Sequence, residues 1–438
     1  MKKKYIILSV VTLTLLISFL SYSKYLKTTN IYKEENINKP IKITKGISMN
    51  LEQTAGAGDY KTVTQSKWPT EGYTFNTELS RCENGSTLSW DDTKKAVIMQ
   101  GNVSDKCYVY FDIWIPSIAD YCTSGTDLAT CVKNFGDQGP SVSNIYIHNS
   151  SLTNGAGDDS YRYAGANPNN FVCFGSSASP CPTDNLYRII GVFGDNYHGV
   201  TGKQLVKLIK YDYMTTEELG TDRDYSKTYK EWGMESTYKG TYGDGERIGV
   251  YYWNYKATGS STNTWSTSLL NKTNLNTNFI NNIGTTWANK IATVTWKVGG
   301  NTYANISDVV PATTYQNEIV NPVTTNTTDN ATTYSAKIGL MYVSDYGFAA
   351  SPDAWTLTMS SYNNTTAKNN NWMYMGLYEW TISRDADISD RAFLVHYDGH
   401  VDNDRVDGDY GVRASFSLES SVSYVSGSGS MSDPIVIN

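Results

Sequence analysis

The segment His396–Phe416 reads HYDGHVDNDRVDGDYGVRASF and gathers side chains capable of chemistry: two imidazoles four residues apart, repeated aspartates, and an arginine within alternating apolar residues. Three chemistries use such groups: metal ligation, acid–base or nucleophilic catalysis, and display of hydrogen-bonding groups to a partner. The spacing of His396 and His400 matches a zincin helix, but the intervening residues read H-Y-D-G-H rather than H-E-x-x-H. Asp398-Gly399 is a two-residue hairpin signal. In such a hairpin Tyr397 faces His400 and His396 points to the opposite face. In an unbroken strand the two imidazoles would stand roughly 13 Å apart. Neither arrangement lets both bind one ion, so no zinc site is expected. Calcium prefers several carboxylate or carbonyl oxygens, which Asp398, Asp402, Asn403, Asp404, Asp407 and Asp409 could supply. Their spacing matches neither a twelve-residue EF-hand loop nor a Gly-Gly-x-Gly-x-Asp repeat. A solvated acidic loop with no cofactor is the expectation, with calcium as the alternative.

Nucleophilic catalysis has less support. No G-x-S-x-G elbow occurs in the chain, and all six cysteines precede residue 182. The stretch Gly199–Gln204, GVTGKQ, lacks the first glycine of a phosphate loop and carries Gln204 where the metal-binding Ser/Thr would stand. No catalytic residues are assigned.

The elements that must carry these residues follow from the rest of the chain. Its 438 residues allow two or three domains, and 39% hydrophobic residues suffice for a core. A net charge of −7 and the lack of any long Lys/Arg run argue against nucleic acid as a partner. Lys2, Lys3 and Lys4 precede nineteen uncharged residues, Tyr5 to Ser23. That length spans a bilayer core, and the positive flank orients the body outward. Residues 1–23 are therefore expected to be a signal anchor in the cell membrane. Cleavage, which would give a secreted body, lacks an A-x-A site. Residues 24–50 are polar and basic and read as a stalk.

Export fits structural disulfides. The cysteines fall as neighbours, and sequential pairing is expected: Cys82 with Cys107, Cys122 with Cys131, Cys173 with Cys181. Tight C-x₂₋₄-C pairs, which a zinc site would need, are absent.

Residues 51–115 read as a small disulfide-stapled β module, with STLSWDDTKKAVIMQG as two strands around a turn and KCYVYFDIW as a third. Residues 116–438 read as one larger α+β unit with more strand than helix. YRIIGVF, KQLVKLIKYDY, KIGLMYVSDYGFA, YEWTIS, AFLVHY and GVRASFSL are the strands expected there. The run Trp265–Ala292 places its apolar residues at helical spacing and suggests two short helices. Polar tracts at 322–333 and 361–371 read as surface loops.

The motifs NWMYMGLYEWTIS, GVRASFSL and VSGSGSMSDPIVI resemble the C-terminal part of a family of uncharacterised exported proteins from low-GC Gram-positive bacteria. That domain is similar to the C-type-lectin-like fold of formylglycine-generating enzymes. The likeness covers Leu186 to the C-terminus, and the 51–115 module also resembles one recurring in such proteins. It implies that Glu379, Trp380, Gly411, Val412 and Arg413 frame a ligand surface, without the cysteines of the oxidising members. The segment 385–410 further resembles the variable region of diversity-generating retroelement proteins, in which Asn codons scatter to Asp, His, Tyr, Ser, Gly, Arg and Ile. It contains eight Asp, two His and two Tyr, and no Glu, Lys, Gln, Met or Trp.

The resulting expectation is a cell-surface protein for adhesion or receptor binding, with an unknown extracellular protein or glycan as ligand. Its contact residues would be Trp380, Asp385, Asp387, Asp390, His396, Tyr397, Asp398, His400, Asp402, Asn403, Asp404, Arg405, Asp407, Asp409, Tyr410 and Arg413. Replacing Asp402, Asp404, Asp407 and Asp409 should leave the fold intact. An extracytoplasmic enzyme acting on glycans or peptides, or a structural surface protein, are the alternatives.

Overall fold

The computed structural model describes residues 46–438 apart from 64–67, 70, 103, 195–197, 200, 233–237, 244 and 323–330. The expected signal anchor lies outside these residues, as does most of the stalk. Among the described residues no helix is long and apolar enough to cross a membrane. The chain divides into two compact units, one ending at Pro116 and the other beginning at Ser117.

The smaller unit is all strand. Alternating apolar residues make Ser48–Glu52 a strand, so the stalk read for 24–50 ends earlier than expected. It lies antiparallel to Tyr60–Val63 and parallel to Cys107–Ile113, which pairs in turn with Tyr73–Cys82. Cys82 and Cys107 face each other across that last pairing and are joined. Thr87–Asp91 and Ala96–Gln100 form the expected hairpin. Met49, Leu51, Phe75, Val97, Val109 and Phe111 make the core, with Trp90 edge-on to Phe111.

The larger unit is built on a nine-stranded sheet. Its main path runs Ile338–Gly339, Ser415–Ser417, Leu205–Lys210, Leu186–Phe193, Phe171–Cys173, Ile435–Ile437, Tyr424–Ser426. All eight residues of Leu186–Phe193 are buried, as a central strand covered on both faces requires. Gly191 permits the close pairing with Tyr161–Tyr163: a Cβ there would meet the Tyr161 carbonyl at 2.2 Å. Leu128–Gly136 is a helix whose first turn is capped by Asp127, accepting from the Thr130 amide at 2.8 Å. The two remaining disulfides, Cys122–Cys131 and Cys173–Cys181, are both in this unit.

The helical reading holds, while one strand reading needed correction. The run from Leu270 is helical, π-wound to Phe279 and α-helical to Ala288, and the non-helical Gly284 (φ 76°) divides it into two pieces, in keeping with the two short helices read from the sequence. Asparagines unfavourable in an isolated helix are used there as clamps: Asn271, Asn274 and Asn276 donate to the carbonyls of Trp265, Leu219 and Ile338. The KIGLMYVSDYGFA run is a two-residue strand, Ile338–Gly339, followed by the helix Val343–Ala349. Every residue from Ile338 to Ala350 is buried, which erases the periodicity that separates helix from strand. The 361–371 tract is also no simple surface loop, since Tyr362, Ala367 and Asn371 are buried. Of the 322–333 tract, 323–330 lie outside the described residues.

Two smaller sheets position the candidate residues. One has the order Gly300–Asn301, Glu379–Asp385, Arg391–Val395, Val401–Arg405; the other runs Tyr225–Thr228, Gly249–Tyr252, Asp409–Tyr410.

Candidate functional site

Val401–Arg405 is an edge strand of sequence VDNDR, and charged residues of this kind discourage sheet-to-sheet pairing. Its partner Arg391–Val395 buries Ala392, Phe393, Leu394 and Val395. The register pairs Leu394 with Asp402 and Ala392 with Asp404. The polar residues thus ride at the rim of a strand that is apolar and buried from Ala392 to Val395.

The connection between these strands overturns the sequence reading of the two histidines. Val395 pairs with Val401, the His396 amide donates to the His400 carbonyl at 2.8 Å, and the Gly399 amide donates back to the His396 carbonyl at 2.9 Å. The loop is Tyr397–Asp398–Gly399, one residue longer than the Asp-Gly signal implied, with Gly399 at φ +103°. That extra residue makes His396 and His400 the last facing pair. Their rings stack with centroids 4.3 Å apart. Asp398 Oδ1 lies 3.1 Å from His396 Nδ1 and 2.5 Å from His400 Nδ1.

The turn is tied from beneath by phenols. Tyr346 donates to the Gly399 carbonyl at 2.7 Å and Tyr374 to the Tyr397 carbonyl at 2.6 Å. Tyr378 Oη lies 2.6 Å from His396 Nε2. Partial burial, and then repulsion from His400, lower the His396 pKa. Burial pushes the Asp398 carboxyl up, but the hydrogen bond and charge of His400 outweigh it and hold the group below its usual value.

The expected contact residues divide into two groups. Asp387 and Arg405 are exposed, while Asp390, His396, Tyr397, Asp398, His400, Asp402, Asn403, Asp404, Asp407 and Asp409 are half-buried at the rim. Trp380, Asp385, Tyr410 and Arg413 are enclosed, and for these four a direct contact role is corrected. Trp380 donates its indole N–H to the Tyr251 carbonyl at 2.9 Å, and its ring packs edge-on against Tyr410. Asp385 accepts from the Asp387 and Ile388 amides and from Asn403 Nδ2, so it shapes the following loop. Arg413 is spent on Glu379 and on the Met373 carbonyl. Glu379, framed as surface by the resemblance, is 2% exposed. The four interchangeable aspartates also divide. Asp404 accepts from the Tyr410 hydroxyl and Asp409 from Ser226 Oγ, whereas Asp402 and Asp407 bond only nearby exposed or half-buried groups.

A buried ionic network went unread in the sequence. Lys207 meets Asp345 at 2.5 Å, Arg162 meets Asp158 at 2.8 Å, and His198 Nε2 lies 2.9 Å from the same Asp158 carboxylate. Burial opposes the Asp158 charge, but Arg162 and His198 outweigh it and hold the carboxyl far below the usual range. Glu318 accepts from the Val343 and Ser344 amides and from Ser383, and burial pushes its pKa up to about 7. The cavity beside His198 and Lys207 measures about 20 Å³, room for about one water. The side chains of His198, Asp158, Lys207 and Asp345 are 9%, 2%, 5% and 2% exposed.

No family model, no curated protein and no solved structure matches this chain.

Proposed function

We propose that the chain is an exported, membrane-anchored recognition protein whose larger unit is a C-type-lectin-like head, binding a polar or cationic ligand across the rim from Asp387 to Asp409. The observation that supports this reading is the division between the strand Arg391–Val395, whose last four residues are buried, and the rim residues beside it, which are half-buried or exposed. Side chains on such a rim can change without disturbing the apolar strand behind them. Asp, Asn, His, Tyr and Arg supply adaptable hydrogen bonds and aromatic contact, as in antibody loops. Eight aspartates against Arg391 and Arg405 leave residues 385–410 at a net −6, which favours a cationic or neutral polar partner over an anionic one.

In this reading the rim is the part scattered by a diversity-generating retroelement. The test is genetic: sequence the gene's surroundings and its copies in sibling cells. The expected finding is a near-duplicate of codons 381–413 carrying AAT or AAC at the divergent positions, beside a reverse-transcriptase gene. Invariant rim codons with no such duplicate would overturn the diversification and return the aspartates to an ordinary acidic loop.

A further inference from the structure

We propose that the turn His396–His400 binds one divalent transition-metal ion of the zinc class through His396 Nδ1, Asp398 Oδ1 and His400 Nδ1. The three residues offer ligand atoms that all lie within 4.8 Å of one another. In a tetrahedral site with bonds of about 2.0–2.1 Å, neighbouring ligand atoms stand about 3.3 Å apart. The His396 Nδ1–Asp398 Oδ1 separation of 3.1 Å is already close to that. The His400 Nδ1–Asp398 Oδ1 separation of 2.5 Å must open by about 0.8 Å to reach it, and one imidazole must swing out of the stack, because rings only 29° from parallel do not aim their in-plane lone pairs at one ion.

A second observation concerns the far side of each ring. Metal-binding histidines commonly hold their other ring nitrogen against an acceptor, which fixes the tautomer and aims the ligand nitrogen. His396 Nε2 meets Tyr378 Oη at 2.6 Å, whereas His400 Nε2 stands 4.0 Å from Asp402 Oδ2, beyond a hydrogen bond. The Tyr378 contact leaves His396 Nδ1 facing the Asp398 carboxylate oxygen that His400 Nδ1 also faces. The phenols of Tyr346 and Tyr374 hold the turn's backbone in the shape that makes them converge.

The donor set selects the ion. Two imidazoles and one carboxylate suit zinc, copper or nickel, whereas calcium and magnesium prefer all-oxygen shells. The side chains of His396, Asp398 and His400 are 20%, 32% and 21% exposed, so the ion can enter and keep an outward position for water or a ligand oxygen. This proposal does not depend on the rim being a ligand surface, because the metal alone is the probe.

The test uses the full chain, stripped with chelator and titrated with Co²⁺ while visible absorption is followed, then with Zn²⁺ as competitor. One Co²⁺ per chain with tetrahedral-type bands, displaced by Zn²⁺, is expected. The double variant His396→Gln/His400→Gln should weaken binding by at least about tenfold, and Tyr378→Phe by about tenfold, each with an unchanged metal-free melting curve. Should the double variant fail to fold, the half-exposed Asp398→Asn substitution carries the same expectation. A parent chain giving no Co²⁺ bands, or folded variants binding as tightly as the parent, would overturn the site.

Discussion

Arg413 Nε donates to Glu379 Oε1 at 2.8 Å, with side chains 0% and 2% exposed. The pair joins the segment after the rim to the strand before it, so residues that a resemblance would set on a binding surface instead tie two segments together inside the fold. Removing one member leaves an uncompensated buried charge. Arg413→Ala should therefore lower stability by about 3–5 kcal/mol, measured by urea unfolding. A change within about 0.5 kcal/mol would mean the pair is solvated and the arginine available for contact.

The rim aspartates should not behave alike. Asp402→Ser and Asp407→Ser should each shift stability by less than about 0.5 kcal/mol, because their partners are exposed or local. Asp404→Ser removes the acceptor of the buried Tyr410 hydroxyl and should cost about 1–2 kcal/mol. Equal effects at all three positions in thermal melts would contradict this division.

Glu318 gives the fold a defined pH response. Its carboxyl is raised from 4.5 to about 7 by burial, opposed by hydrogen bonds from Ser344 and Val343 and assisted by the charge of Asp345. Below about pH 4.5 it is protonated in folded and unfolded chains alike, and its contribution to stability is complete. As pH rises to about 7 the unfolded chain releases its proton first, so this contribution is lost on the alkaline side. The stability difference between wild type and Glu318→Gln should move against wild type by on the order of 3 kcal/mol between about pH 4.5 and about pH 8. A difference that stays flat across that range would show that Glu318 titrates normally.

The disulfides should matter unequally. Cys82–Cys107 closes a sequence separation of 25, against 9 and 8 for Cys122–Cys131 and Cys173–Cys181. Chain-entropy arguments assign about 3.5 kcal/mol to the longer loop and about 2.5 kcal/mol to each shorter one. The small unit has a limited core of its own, so Cys82→Ser/Cys107→Ser should expose residues 46–116 to protease first. Equal protease resistance with and without the bond would oppose this.

Local signals carried over from sequence to structure, and distant ones did not. The hairpin Thr87–Asp91 to Ala96–Gln100 and the sequential cystine pairs rest on neighbours in the chain, where turn residues and spacing act directly. The turn at Asp398-Gly399 was legible as a turn, but its length was not, and one residue decided whether the two histidines meet. Lys207 and Asp345 are 138 residues apart in sequence, and no local pattern announces their pairing. Trp380 and Arg413 look like recognition residues by type; only the packing shows them enclosed.

The central claim is that the rim recognises a ligand and can change without loss of fold. The direct measurement is binding of the purified chain to an array of cationic, neutral and anionic peptides and glycans, in parallel with the double variant Asp402→Ser/Asp407→Ser. Parent binding confined to cationic or neutral polar members, lost in a variant with an unchanged melting curve, is the expected result. No binding in any class, or the same profile from both proteins, would contradict it.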